Sequence, residues 1–122
     1  MDIRELRIDD RVSHNGDIGK VVEIKTTHVR LMFKDGASYL YNVNELEPIP
    51  ITDKLIKKIG FLNISNMWYH LDELVLLRRL KHNYQIYITD CGSHYEINKI
   101  IKYLHQLQHE IWEAGIELKI GL

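Results

Sequence analysis

The chain has one cysteine, Cys91, among 122 residues, so no internal disulfide can form and no oxidising compartment is implied. Its two prolines, Pro48 and Pro50, stand within three residues of each other, and no low-complexity or Pro/Ser-rich tract occurs elsewhere. Charge of one sign is also lacking. Sixteen Lys and Arg face seventeen Asp and Glu, a net charge of −1, which removes the strong, sequence-independent attraction to phosphate that very basic domains show. No apolar run approaches the roughly 20 residues that span a bilayer, and no basic-then-apolar leader opens the chain. A cytoplasmic protein with no membrane partner is the expectation. Phosphate-binding glycine loops, nucleophile elbows and kinase-type signatures are missing, so no catalytic residue, no resident metal and no cofactor is expected.

What is present suits a globular protein. Hydrophobic residues make up 45% and charged residues 27%. At this length folding buries roughly two-thirds of the unfolded chain's surface, enough for a core without a stapling metal or disulfide. The halves differ slightly in charge, with a net −2 over residues 1–50 and +1 over residues 51–122. They divide at Glu47–Thr52, "EPIPIT", where the prolines fix φ and remove two amide donors. The reading is two domains, 1–50 and 51–122.

Before the prolines the hydrophobic period is two. Short runs rich in Val, Ile, Phe and Tyr cover 11–14, 18–25, 28–33 and 38–41, separated by the hairpin signals Asn15-Gly16 and Asp35-Gly36. A short turn at 43–45 and a last strand at 46–49 complete a compact antiparallel barrel. After the prolines, Thr52 is a good N-cap, Leu55, Ile56 and Ile59 make one apolar face, and Gly60 is placed to end a two-turn helix, with Phe61 as a packing anchor. Residues 67–71, 74–80 and 84–89 read as a small antiparallel sheet with a turn at 81–83, although the span from Trp68 to Leu80 also fits a helix. From Ile97 onward the chain reads as an amphipathic helix. Ile100, Ile101, Leu104, Leu107, Ile111 and Trp112 fall in one sector at about 100° per residue. The whole is α+β: an N-terminal SH3-like antiparallel barrel, a short helix, a small antiparallel sheet and a C-terminal amphipathic helix.

Four constellations invite chemistry. His105 and His109 stand one helical turn apart, a spacing that can reach one cation; "HQLQHE" lacks the general-base glutamate of H-E-x-x-H, and the pair reads first as the polar border of a core-facing helix. In "TDCGSHYE", residues 89–96, a thiol at a helix N-terminus with His94 as base is conceivable, but Asp90, Gly92 and Ser93 are also what a turn and cap require. Lys54, Lys57, Lys58, Arg78, Arg79 and Lys81 can form one positive face beside the aromatics Trp68, Tyr69, Tyr84 and Tyr87, the combination that binds single-stranded nucleic acid. The competing reading is a solvated charged face over a core that uses those rings. In the first half, Arg30, Asp35, Tyr39 and Tyr41 are the candidate binding residues.

Two resemblances add to this. "LRIDDRVSHNGDIGKVVEI" resembles the opening of SH3-like barrels in ribosome- and polymerase-associated modules, with a valine strand, a glycine turn and a G-x-V-x-x-I strand in succession. The order of "ELRIDDRV", "ELEPIPITDKLIKKIGF" and "IKYLHQLQHEIWEAGIEL" is similar to a group of small bacterial, phage and prophage proteins with an E-P-I-P-L-T-like linker and an H-Q-L-Q-type helix. The compact middle section and the Glu-Ala-Gly helix end depart from that pattern. The resemblance implies phage or prophage origin and assigns no reaction to any residue. The expected function is a non-enzymatic adaptor with a protein or nucleic acid partner. Its alternatives are a regulatory or inhibitory protein acting on a host enzyme and, behind both, a metal-dependent enzyme at His105 and His109.

Overall fold

The computed structural model describes the chain apart from residues 66, 72–74, 91–93, 117, 119 and 122; for residues 89, 90 and 94–98 it describes the backbone alone. The protein is α+β, with two antiparallel sheets and two α-helices, in two compact units, Met1–Ile49 and Pro50–Gly121.

The first unit is a four-stranded sheet of order β1-β2-β3-β4, formed by Arg11–His14, Asp17–Ile24, His28–Met32 and Ser38–Asn42. Asn15 (φ 48°) and Gly16 (φ 87°) take the two left-handed positions of the first hairpin, which is why that dipeptide sits there. Alternation then places Val12, Val21, Val29 and Leu31 on the inner face, all fully buried, with Leu6, Val43 and Leu46 closing the same core. The sheet is open, not a closed barrel. The strand expected over residues 46–49 is reduced to one bridge, in which Ser13 and Glu47 exchange N–H···O bonds of 2.9 Å. Pro48 and Pro50 have no N–H to extend that ladder, so pairing stops after one residue.

The second unit begins with α1, Asp53–Lys58, capped by the Thr52 hydroxyl, which accepts from Leu55 N–H at 3.1 Å, and ended at Gly60 (φ 117°). Phe61 follows, almost fully buried. A five-stranded sheet of order β5-β6-β7-β8-β9 comes next, from Leu62–Ser65, Trp68–Leu71, Val75–Arg79, Tyr84–Asp90 and His94–Ile101. The span from Trp68 to Leu80 is therefore sheet and not helix among its described residues. The last helix, α2, covers only Leu104–Glu113. Residues 97–101, expected as its beginning, are a strand instead, paired along β8 from Tyr84↔Ile101 to Ile88↔Ile97. The run "INKII" is rich in β-branched residues, and the pairing offered by β8 outweighs a helical projection that would have served equally well on spacing alone.

The tail signature now resolves residue by residue. Gln106 Oε1 accepts from the N–H groups of Lys102 (2.8 Å) and Tyr103 (3.0 Å), tying the helix start to the chain entering it. Leu104, Leu107 and Ile111 are fully buried. So are Gln108 and, at 2% exposure, His105, which the projection had placed outside the apolar sector. The buried face of α2 is thus made of Leu104, His105, Leu107, Gln108 and Ile111.

Candidate functional site

Cross-strand partners share a face of a sheet, so register sorts every side chain of the second sheet. Tyr69, Val75, Leu77, Tyr84, Ile86, Ile88 and Ile101 point to one side and are buried. Both helices are tied to that side: Asp53 at the start of α1 binds Arg79 and Tyr84, and Glu110 of α2 accepts from Lys99 at 3.1 Å. The opposite side carries a row Trp68, Arg78, Gln85 and Ile100, and a second row His70, Leu76 and Tyr87, with Leu62 beside His70.

On this outer face the Trp68 and Tyr87 rings lie 5.7 Å apart, tilted by 37°. The Arg78 guanidinium carbon stands 5.7 Å from the Trp68 centroid, a cation–π contact. Arg78 Nε is shielded from water and has no hydrogen-bond partner among the described residues. Leu62 and Ile100 flank the rings at 63% and 62% exposure. Arg78 supplies charge here, and no carboxylate stands among the described residues of this face.

The six basic residues singled out by sequence do not form one surface. Lys54, Lys57 and Lys58 are exposed on α1, Lys81 is exposed in the β7–β8 turn, and the adjacent residues Arg78 and Arg79 point to opposite faces. Arg79 donates to Asp53 Oδ2 at 2.5 Å, while the Tyr84 hydroxyl donates to Oδ1 and Tyr69 adds a third hydrogen bond. Burial pushes the Asp53 carboxyl up, but the bonds from Tyr84, Arg79 and Tyr69 together outweigh it and hold the group below the usual aspartate range. Burial and then the Asp53 contact push the Tyr84 phenol well above its ordinary range. The aromatics divide as well: Trp68 and Tyr87 face outward, Tyr69 and Tyr84 inward.

The four candidates of the first unit separate in the same way. Arg30 lies on the outer face, opposite Glu23, whose carboxylate it meets at 3.4 Å. Asp35 caps its turn by accepting from Ala37 N–H at 2.9 Å. Tyr39 and Tyr41 alone come together, on the face of Leu31 and Val29. Phe33 stands 6.3 Å from each of them, and His14 stacks on Tyr41 at 4.0 Å. His14 and Phe33 were missed in sequence, although each lies two residues beyond a core position, Val12 and Leu31, and so on the same face. Tyr39 is 55% exposed, which leaves this aromatic cluster with one ring open to solvent.

The His105 and His109 rings lie 5.8 Å apart at 71°, and Tyr103 stacks near His105 at 6.0 Å. Among the described residues no group of three or more His, Cys, Asp or Glu is placed to hold a metal ion. Cys91, Gly92 and Ser93 lie outside the described residues, as do the side chains of Asp90 and His94. The segment after them is β9, so the helix N-terminus that would activate a thiol there does not exist. Among the described residues no helix is long and apolar enough to cross a membrane. Comparison with protein-family models, with curated proteins and with solved structures finds no match. Fold and site thus define the class at the level of an α+β chain whose second sheet carries Trp68 and Tyr87 on the face away from its helices.

Proposed function

We propose that this chain is a non-enzymatic binding module, an adaptor in the phage or prophage setting that its linker and tail resemble, and that its partner docks on the outer face of the five-stranded sheet. One observation carries the reading: α1 and α2 are both tied to the inner face, while the other side presents Trp68, Tyr87 and Arg78 between exposed Leu62 and Ile100. A contiguous apolar and aromatic patch of that kind is what binding surfaces require and what a solvated sheet face avoids. The test is recovery of bound protein and nucleic acid from bacterial extract on the tagged full chain. The double variant Trp68→Ala, Tyr87→Ala should lose what the wild type recovers while its helical and sheet circular dichroism persists; equal recovery by both overturns the reading.

A second reading follows from the first unit, proposed here as an SH3-like module acting on a host enzyme. The exposed Tyr39 ring, backed by Phe33, Tyr41 and His14, supports it. In that case Tyr39→Ala abolishes recovery and the sheet-face variant does not.

A further inference from the structure

We propose that β4, the open edge strand of the first unit, pairs with β4 of a second copy of this chain, antiparallel about Leu40, so that two four-stranded sheets join across a two-fold axis. The contact is independent of the docking face proposed above for the second unit. Hydrogen-bond parity fixes which peptide groups the edge offers. Phe33 N–H donates to Ala37 C=O at 2.8 Å and Val43 N–H donates to Thr27 C=O at 3.0 Å, just beyond the two ends of the β3–β4 ladder. Bonded pairs alternate along an antiparallel ladder, so Tyr39 and Tyr41 bond inward to Leu31 and Val29, while Ser38, Leu40 and Asn42 turn their backbone groups away from β3. The Asn42 N–H is taken by Glu45 Oε1 at 3.1 Å. The outward groups of Ser38 and Leu40 meet no hydrogen-bond partner among the described residues.

The strand's own sequence selects a second copy over other partners. Tyr39-Leu40-Tyr41 reads the same in both directions, so an antiparallel pairing centred on Leu40 sets Leu40 opposite Leu40 on the outer side and each Tyr39 opposite the other copy's Tyr41 on the inner side. A self-complementary patch is what a closed two-fold dimer requires. Leu40 exchanges both of its bonds with the other Leu40, each Ser38 N–H reaches the other copy's Asn42 C=O, and the Glu45 cap on Asn42 ends the ladder. Cross-strand aromatic pairs add stability, and Tyr39 and Leu40, 55% and 39% exposed, leave water. His14, stacked on Tyr41 at 4.0 Å, holds that ring in place to receive the other copy's Tyr39. The edge also lacks the devices that prevent such pairing: residues 38–42 hold no charge and no proline, and their register with β3 runs without a shift. Because the strand is short, the dimer is weak and concentration-dependent.

The experiment follows the mass of the full chain by sedimentation equilibrium up to about 1 mM, with amide hydrogen exchange read by NMR at the dilute and concentrated ends. The mass should rise from one chain toward two. Exchange at the Leu40 amide should slow as concentration rises, whereas the Tyr39 and Tyr41 amides, already bonded to β3, should not respond. Leu40→Lys sets like charges face to face at an exposed position and should raise the dimer Kd at least about fivefold with circular dichroism unchanged. A mixture of Leu40→Lys and Leu40→Glu should associate more tightly than either variant alone, because residue 40 faces itself only in this register. A single-chain mass throughout the range, a dimer indifferent to Leu40→Lys, a Leu40 amide whose exchange ignores concentration, or a mixture no tighter than its components overturns the inference. Recovery from extract reads Trp68 and Tyr87 on the other sheet, so the two proposals fail separately.

Discussion

Asp53 accepts hydrogen bonds from Arg79, Tyr84 and Tyr69, three residues on three adjacent strands of one sheet, and so fastens the first turn of α1 to that sheet. A carboxyl whose folded pKa is held below its unfolded value contributes stability at pH above that unfolded value, near 4, and loses it as pH falls through the folded one. Asp53→Asn should therefore lower the melting temperature at pH 7 and flatten its decline below about pH 4. Tyr84→Phe removes one of the three donors, so the Asp53 carboxyl should titrate higher than in the wild type. Melting curves between neutral and acid pH check both; parallel acid limbs in wild type and Asp53→Asn would mean the cluster does not couple to folding. Asp10, fully buried in the first unit, accepts from Arg7 N–H at 2.8 Å. Asp10→Ala leaves that amide without its acceptor and should cost about 1–3 kcal/mol, read as a lower urea midpoint at unchanged slope.

At the scale of elements, the decisive boundary is the one between β9 and α2. Helical spacing groups Ile100 with Leu107, yet the structure puts Ile100 on the outer sheet face at 62% exposure and Leu107 in the core at 0%. Leu107→Ala should cost about 2–5 kcal/mol, and Ile100→Ala should stay within about 0.5 kcal/mol. Urea denaturation of the two variants separates the strand from the helix; equal losses would restore the longer helix. The elements legible in sequence were those with their own local chemistry: the Asn15-Gly16 hairpin, the Thr52 cap, the Gly60 stop. β5 was not legible. All four of its residues are exposed, so no alternation marks it, and its pairing with β6 is irregular between Asn63 and Ser65.

For the whole molecule, the described hydrophobic core of the first unit is drawn from its own residues, Leu6 through Leu46. A core defect there should leave the second unit's surface working. Leu31→Ala should lower the thermal stability of the first unit by about 2–5 kcal/mol while recovery of partners from extract, tested at a permissive temperature, still depends on Trp68 and Tyr87. Loss of binding in step with stability would show one cooperative unit instead of two.

Composition, the hairpin dipeptides and the N-cap are local or additive properties, and through them the sequence by itself determined the α+β class, the first four strands and α1. Arg78 beside Arg79, and Trp68 beside Tyr69, are adjacent in sequence and point to opposite sides, so no clustering along the chain could reveal which basic and aromatic residues meet. That was decided by register. Sheet pairing is a long-range choice, and only once β6, β7 and β8 are aligned does the period of two bring Trp68, Arg78 and Tyr87 onto one face while Tyr69, Arg79 and Tyr84 turn inward toward Asp53.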